Sequence, residues 1–144
     1  MYSYVIDMSI SDEECFDTLV NLMINDIKDK TGEKISRSDL LKGYKYESLS
    51  KQGSQIVSST VEIHKPVVNK NITTVYDFSN RKYKIVYDIT PIDEGHCSLE
   101  YIQDDGQTTP KGLTKRMMDR NTKKRLLDIE AYAIRSNKAD VIGR

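Results

Sequence analysis

Five successive stretches of period-2 alternation, closed by one long segment of helical periodicity, constrain this chain more than any other feature. The stretches cover residues 44–49, 55–65, 71–78, 82–90 and 96–104, and the helical segment covers about 113–137. In the second stretch Val57, Ser59, Val61 and Ile63 share one parity, and Ser58, Thr60, Glu62 and His64 share the other. The third stretch sets Ile72, Thr74, Tyr76 and Phe78 on one face, the fourth Tyr83, Ile85, Tyr87 and Ile89, and the fifth Cys97, Leu99 and Tyr101. Alternation of this kind marks strands with one buried face. Turn residues separate the stretches at 51–54, 79–81 and 91–95, and Pro66 ends the second, so a meander of antiparallel strands is predicted. A sheet with one apolar face has to cover it, and the last helix is the obvious cover.

Ahead of the meander, Tyr2, Tyr4 and Ile6 alternate with Ser3, Val5 and Asp7, which predicts a first strand ending at about Met8. Ser11 and Glu14 then form a capping box, each side chain satisfying a backbone N–H at the start of a helix. Phe16, Leu19, Val20, Met23 and Ile27 recur along that helix at helical spacing, and Thr31-Gly32 stops it. A further helical turn is predicted over 37–42, capped by Ser36 or Ser38. Before the last helix, residues 104–110 form a polar loop in which Thr109 caps the helix and Pro110 takes its first position. Met118, Thr122, Leu126, Ile129 and Ala133 make one apolar stripe on this helix, and Leu113, Leu127, Ala131 and Ile134 make a second arc. In the first half, Arg116, Arg120 and Lys123 hold the angle that the second arc takes later, so the helix is expected to enter the core only after about Lys124. Residues 136–144 read as a frayed tail.

With 144 residues, the chain is expected to be one domain over 1–144, large enough to bury a core without metal or disulfide support. Residues 1–10 carry Asp7 and lack a basic leader, and no stretch approaches eighteen apolar residues, so the expected address is the cytoplasm. In that compartment Cys15 and Cys97 are expected to be buried small hydrophobes rather than a disulfide. Net charge is zero but unevenly spread. Residues 1–50 hold six basic and ten acidic side chains, and residues 111–144 hold ten basic and four acidic. A nucleic-acid binder would show an overall basic excess, so no nucleic-acid partner is expected. The two ends are expected to complement each other, within one fold or across a dimer.

A strand, a helical region, a five-strand meander and a long C-terminal helix follow one another in the order of the helix-grip fold. The chain therefore resembles the START and polyketide-cyclase-like superfamily, and its 83–101 segment looks like the late-strand hairpin common there. It is also similar to an uncharacterised family in or near that superfamily, domain of unknown function 3284, from which no activity carries over. The resemblance implies an α+β fold with a curved antiparallel sheet of about six strands wrapped around the C-terminal helix, and with an N-terminal helix after the first strand. It also implies an apolar small-molecule or lipid site between sheet and helix. None of the catalytic residues of the superfamily's enzymes maps onto this sequence.

The residues themselves argue against most chemistries. His64, His96, Cys15 and Cys97 lack ligand spacing, and His96 and Cys97 point to opposite faces of a strand, so neither metal nor cofactor is expected. No glycine-rich loop opens a helix and no nucleophile elbow is present. Glu13-Glu14, Asp93-Glu94 and Asp104-Asp105 have structural explanations at a helix start and in turns. Tyrosine stands out. With nine tyrosines, two phenylalanines and no tryptophan, the aromatic surface of the core carries hydroxyls, and buried hydroxyls need partners. Tyr76, Tyr87 and Tyr101, with Ser59 and Thr74, are expected on the concave face opposite Met118, Leu126 and Ile129. An apolar chamber with a few placed hydroxyls suits a small molecule. Among the basic residues Arg116, Arg120, Lys123, Lys124 and Arg125, the first three are the expected contacts to an anion or a protein partner, including a second copy of the chain. A cyclase-like or hydrolytic enzyme remains a third reading and would need a histidine or carboxylate facing the chamber, whereas parity sets His64 on the other side.

Overall fold

The computed structural model describes residues 1–78 and 81–142. The elements run β1 (Tyr2–Met8), α1 (Asp12–Thr31), α2 (Arg37–Leu41), β2 (Tyr44–Gln52), β3 (Gln55–Ile63), β4 (Asn71–Phe78), β5 (Arg81–Asp93), β6 (His96–Asp104) and α3 (Gly112–Ile142). All six strands form one curved antiparallel sheet in the order β1-β6-β5-β4-β3-β2. The meander expected from the alternation is β2 to β6, and β1 closes on β6, setting Tyr4 opposite Tyr101 and Met8 opposite Cys97. The parity holds throughout: Ser59, Val61, Ile63, Ile72, Thr74, Ile89, Cys97, Leu99 and Tyr101 are all buried.

Because β1 and β2 are the two edges of the sheet, the chain must cross the whole sheet between them. Helix α1 makes that crossing. Its 20 residues span about 30 Å at 1.5 Å per residue, against roughly 24 Å between the edges of a six-stranded sheet at about 4.8 Å per strand. Ser11 and Glu14 form the capping box, and Gly32 ends the helix at φ 76° with its N–H on the Lys28 carbonyl. Ser36 caps α2 in the same way, its hydroxyl accepting from the Asp39 N–H. The buried face of α1, with Cys15, Phe16, Leu19, Val20 and Ile27, lies on the concave side of the sheet. The cover is therefore shared between two helices, where the sequence pointed to α3 alone. In this core Cys15 and Cys97 are free, buried thiols. Hydrogen bonding to Cys97, and then burial, pushes the Cys15 thiol well up.

Three strand ends differ from the alternation. β2 runs to Gln52, which pairs with Gln55, so the turn tightens to Gly53-Ser54. β3 stops at Ile63. β5 continues through Pro91 to Asp93 with an irregularity between those two residues, leaving Glu94-Gly95 as the turn. Proline is tolerated there because β4 pairs with β5 only as far as Asp88, so that side of Pro91 has no ladder to donate to. Of the expected turn at 79–81, Ser79 and Asn80 lie outside the described residues.

Helix α3 begins at Gly112, whose φ of 62° is left-handed, so Pro110 does not take the first helical position as expected. The helix extends to Ile142, and of the tail expected from 136 onward, Gly143 and Arg144 lie outside the described residues. Its buried stripe is Thr122, Leu126, Ile129 and Ala133, with Met118 partly buried ahead of them. Docking starts early: the Tyr2 hydroxyl donates to Asp119 Oδ1 at 2.8 Å and contacts Thr122 Oγ1 at 3.2 Å. The expected entry after Lys124 is thereby corrected, and so is the second arc. Leu113, Leu127 and Ile134 are 77%, 43% and 37% exposed, because α1 shares the cover of the concave face and leaves α3 a strip one stripe wide. At its far half α3 is tied to the β1–α1 connection, where Glu130 accepts from the Ser9 N–H at 2.6 Å.

Candidate functional site

A cavity of about 500 Å³ lies between the concave sheet, α1 and α3. The sheet contributes Thr74, Tyr76, Ile85 and Tyr87, α1 contributes Leu19, Leu22, Met23, Asp26 and Lys30, and α3 contributes Arg125 and Ile129. Its interior is set by period-2 geometry, since Thr74 pairs with Ile85 across β4–β5 and both face inward. Asp26, Lys30 and Arg125 are exposed and mark the mouth. Two of these charges answer each other: Lys30 Nζ lies 3.1 Å from Asp26 Oδ2, one helical turn apart.

The tyrosines fall into two groups. Tyr76 stacks on Tyr83 with ring centroids 4.8 Å apart, and its hydroxyl has no hydrogen-bond partner among the described residues. Burial raises its pKa well above that of free tyrosine, with neighbouring tyrosines and Asp26 adding to the effect. Tyr87 and Tyr101 meet edge to face at 5.6 Å. The Tyr101 hydroxyl donates to Gln103 Oε1 at 3.0 Å and accepts from Arg125 Nη1 at 3.4 Å. The guanidinium also lies 5.5 Å from the centre of the Tyr101 ring, in cation–π range. Burial raises the pKa of both phenols, and Arg125 partly offsets it.

Of the residues expected to line a chamber, Thr74, Tyr76, Tyr87 and Ile129 surround this cavity. Ser59 is buried and does not line it, its hydroxyl donating to the Ser48 carbonyl at 3.3 Å. Leu126 is fully buried in the core, and Met118 borders a separate recess with Tyr2 and Gln103. Tyr101 stands behind Tyr87 with its hydroxyl engaged. Arg116, Arg120 and Lys123 are exposed, line no part of the cavity, and make no ion pair with a carboxylate among the described residues. The α1 wall and Arg125 were not among the expected lining residues. Two signals could have found them: Met23 lies on the apolar stripe of α1, and Arg125 is four residues from Ile129, hence on the same side of α3. Glu62 and His64, Nε2 to Oε1 at 3.1 Å, stand on the outer face and alternate with the buried Val61 and Ile63.

Residues 5–120 match the domain of unknown function DUF3284. The chain belongs to the DUF3284 family. No curated protein matches it. Solved structures share this DUF3284 fold at low sequence identity. One is the Zhui aromatase/cyclase from Streptomyces sp. R1128, with a TM-score of 0.55 and 11% identity over 92% of each chain. Another is a START superfamily protein from Mycobacterium smegmatis, at 0.51 and 12% over 96% of this chain and 97% of that one. DynU16 from the dynemicin biosynthetic locus aligns at 0.56 and 6% over 91% of this chain, which spans about half (46%) of its length. The architecture is thus that of the START and polyketide-cyclase-like helix-grip proteins. No helix among the described residues is long and apolar enough to cross a membrane.

Proposed function

We propose that this domain binds an apolar or amphipathic small molecule in the cavity between the sheet, α1 and α3, without transforming it. The observation that carries the reading is the cavity itself. At about 500 Å³ it falls within the roughly 300–1,000 Å³ usual for small-molecule sites, and Met23, Ile85 and Ile129 offer apolar contact beside the hydroxyls of Tyr76 and Tyr87. The fold is shared with a START superfamily protein and an aromatase/cyclase, which accords with a ligand held at this place. A binding role is favoured over catalysis because, among the described residues, the lining holds no histidine and one carboxylate, Asp26, which is paired with Lys30. The free, buried Cys15 and Cys97 accord with a reducing cytoplasm.

The test is a fluorescence titration with N-phenyl-1-naphthylamine, a neutral apolar probe. Saturable one-to-one binding is expected, weakened about ten-fold or more in Met23→Trp and in Ile129→Trp, each of which fills the cavity, and unchanged in Leu127→Trp on the exposed side of α3. Equal binding by all four proteins would overturn the reading.

A second reading is favoured by one observation. Arg116, Arg120 and Lys123 find no carboxylate within the protomer among the described residues, so the complementarity between the basic and acidic ends of the sequence is not used up in the fold. On this reading a second copy meets that face of α3 with acidic side chains such as Glu13 and Asp29, which are exposed. Arg116→Glu with Arg120→Glu should then lower the mass measured by sedimentation equilibrium from dimer to monomer, and an unchanged mass would exclude this interface.

A further inference from the structure

Arg125 is a cation at the cavity mouth whose charge the protein leaves unanswered. The other two charges there, Asp26 and Lys30, neutralise each other at 3.1 Å. Arg125 makes no ion pair with a carboxylate among the described residues, and its contacts are the ring and hydroxyl of Tyr101 at 5.5 and 3.4 Å. Those contacts fix the guanidinium plane while using only part of its five donors. Tyr76, which lines the same cavity, adds a hydroxyl without a partner among the described residues. A guanidinium with donors to spare and an unpartnered hydroxyl beside the apolar side chains of Met23, Ile85 and Ile129 call for an oxyanion attached to an apolar body.

We propose that the ligand of this site is an amphipathic anion whose carboxylate, or an oxyanion of similar shape, docks on Arg125 at the mouth while its apolar part fills the space between Met23, Ile85 and Ile129. This rests on the small-molecule reading above and adds the charge of the ligand to it. The arginine recognises the oxyanion by charge-assisted hydrogen bonds, bidentate where the geometry permits. Tyr101 acts as a positioning residue that holds the guanidinium in place.

Two probes of nearly the same shape separate the claims: 8-anilino-1-naphthalenesulfonate and N-phenyl-1-naphthylamine share one aromatic skeleton, and the first carries a sulfonate. The wild-type chain should bind the sulfonated probe about ten-fold more tightly than the neutral one, a preference that shrinks with added salt. Arg125→Gln should abolish the preference, so that the two probes bind with equal affinity, and Arg125→Lys should retain part of it. Arg120→Gln, which removes an equal charge away from the cavity, should leave both affinities as they were. Equal binding of the two probes by the wild type, or a sulfonate preference that survives Arg125→Gln, would overturn the inference while the small-molecule reading stands. Binding of neither probe would overturn both.

Discussion

Tyr2 shows how a single side chain sets the docking of α3. It is 4% exposed, and its hydroxyl joins Asp119 and Thr122, so it clips the first strand to the last helix. Tyr2→Phe should cost about 1–2 kcal/mol, read as a shift in the urea midpoint. The same residue gives a pH dependence. Burial, with a contribution from Asp119, pushes its pKa up to about 12, and burial and Asp26 push that of Tyr46 up to about 12. In the unfolded chain both titrate near 10. The folded protein therefore holds protons that the unfolded chain releases between these values, so this contribution is fully present below pH 10 and is lost as pH rises toward 12. Urea midpoints between pH 9 and pH 12 should fall with rising pH, and less steeply in Tyr2→Phe; an equal slope in the variant would contradict the assignment. Gly43, at φ 93°, lies where a Cβ would come within 3.3 Å of the Ile63 carbonyl oxygen and the Lys65 nitrogen. Gly43→Ala should destabilise by about 1–3 kcal/mol, since backbone atoms on both sides have little room to move.

Among the elements, the strands were the most legible, because one buried face forces alternation that the eye can follow through Val57 to Ile63 and Ile72 to Phe78. Helix α1 was legible as a helix from Ser11, Glu14 and Gly32, but its role as half of the cover was not. Periodicity says which side of a helix is buried and nothing about what it is buried against, and only the edge positions of β1 and β2 make α1 cross the face. The same limit misled the reading of α3, where two apolar arcs compete and only packing against α1 decides between them. Adjacent leucines test the outcome: Leu126→Ala should cost about 3 kcal/mol, whereas Leu127→Ala on the exposed arc should stay within about 0.5 kcal/mol. Comparable losses in thermal or urea unfolding would mean that α3 is rotated from the orientation described. At the head of α1, Ser11→Ala should remove about 1 kcal/mol through the lost bond to the Glu14 N–H at 3.1 Å.

For the whole molecule, curvature is the quantity that decides function and the one that alternation does not encode. Thr74, Tyr76, Tyr87 and Ile129 could be assigned to the concave side from parity and stripe alone, yet whether they enclose space depends on how far the sheet bends around two helices. The wall supplied by Leu22, Met23, Asp26 and Lys30 depends on that bend as well. Arg125 was visible in the sequence only as one of five clustered basic residues, and its separation from Arg116, Arg120 and Lys123 comes from the Tyr101 ring and hydroxyl it meets. The central claim is that a small molecule occupies the space between sheet, α1 and α3, and chemical-shift mapping by ¹⁵N-resolved NMR during titration with N-phenyl-1-naphthylamine tests it most directly. Shifts should saturate and concentrate at Met23, Thr74, Tyr76, Tyr87 and Ile129. Shifts confined to the exposed arc around Leu127 and Ile134, or none that saturate, would contradict the account.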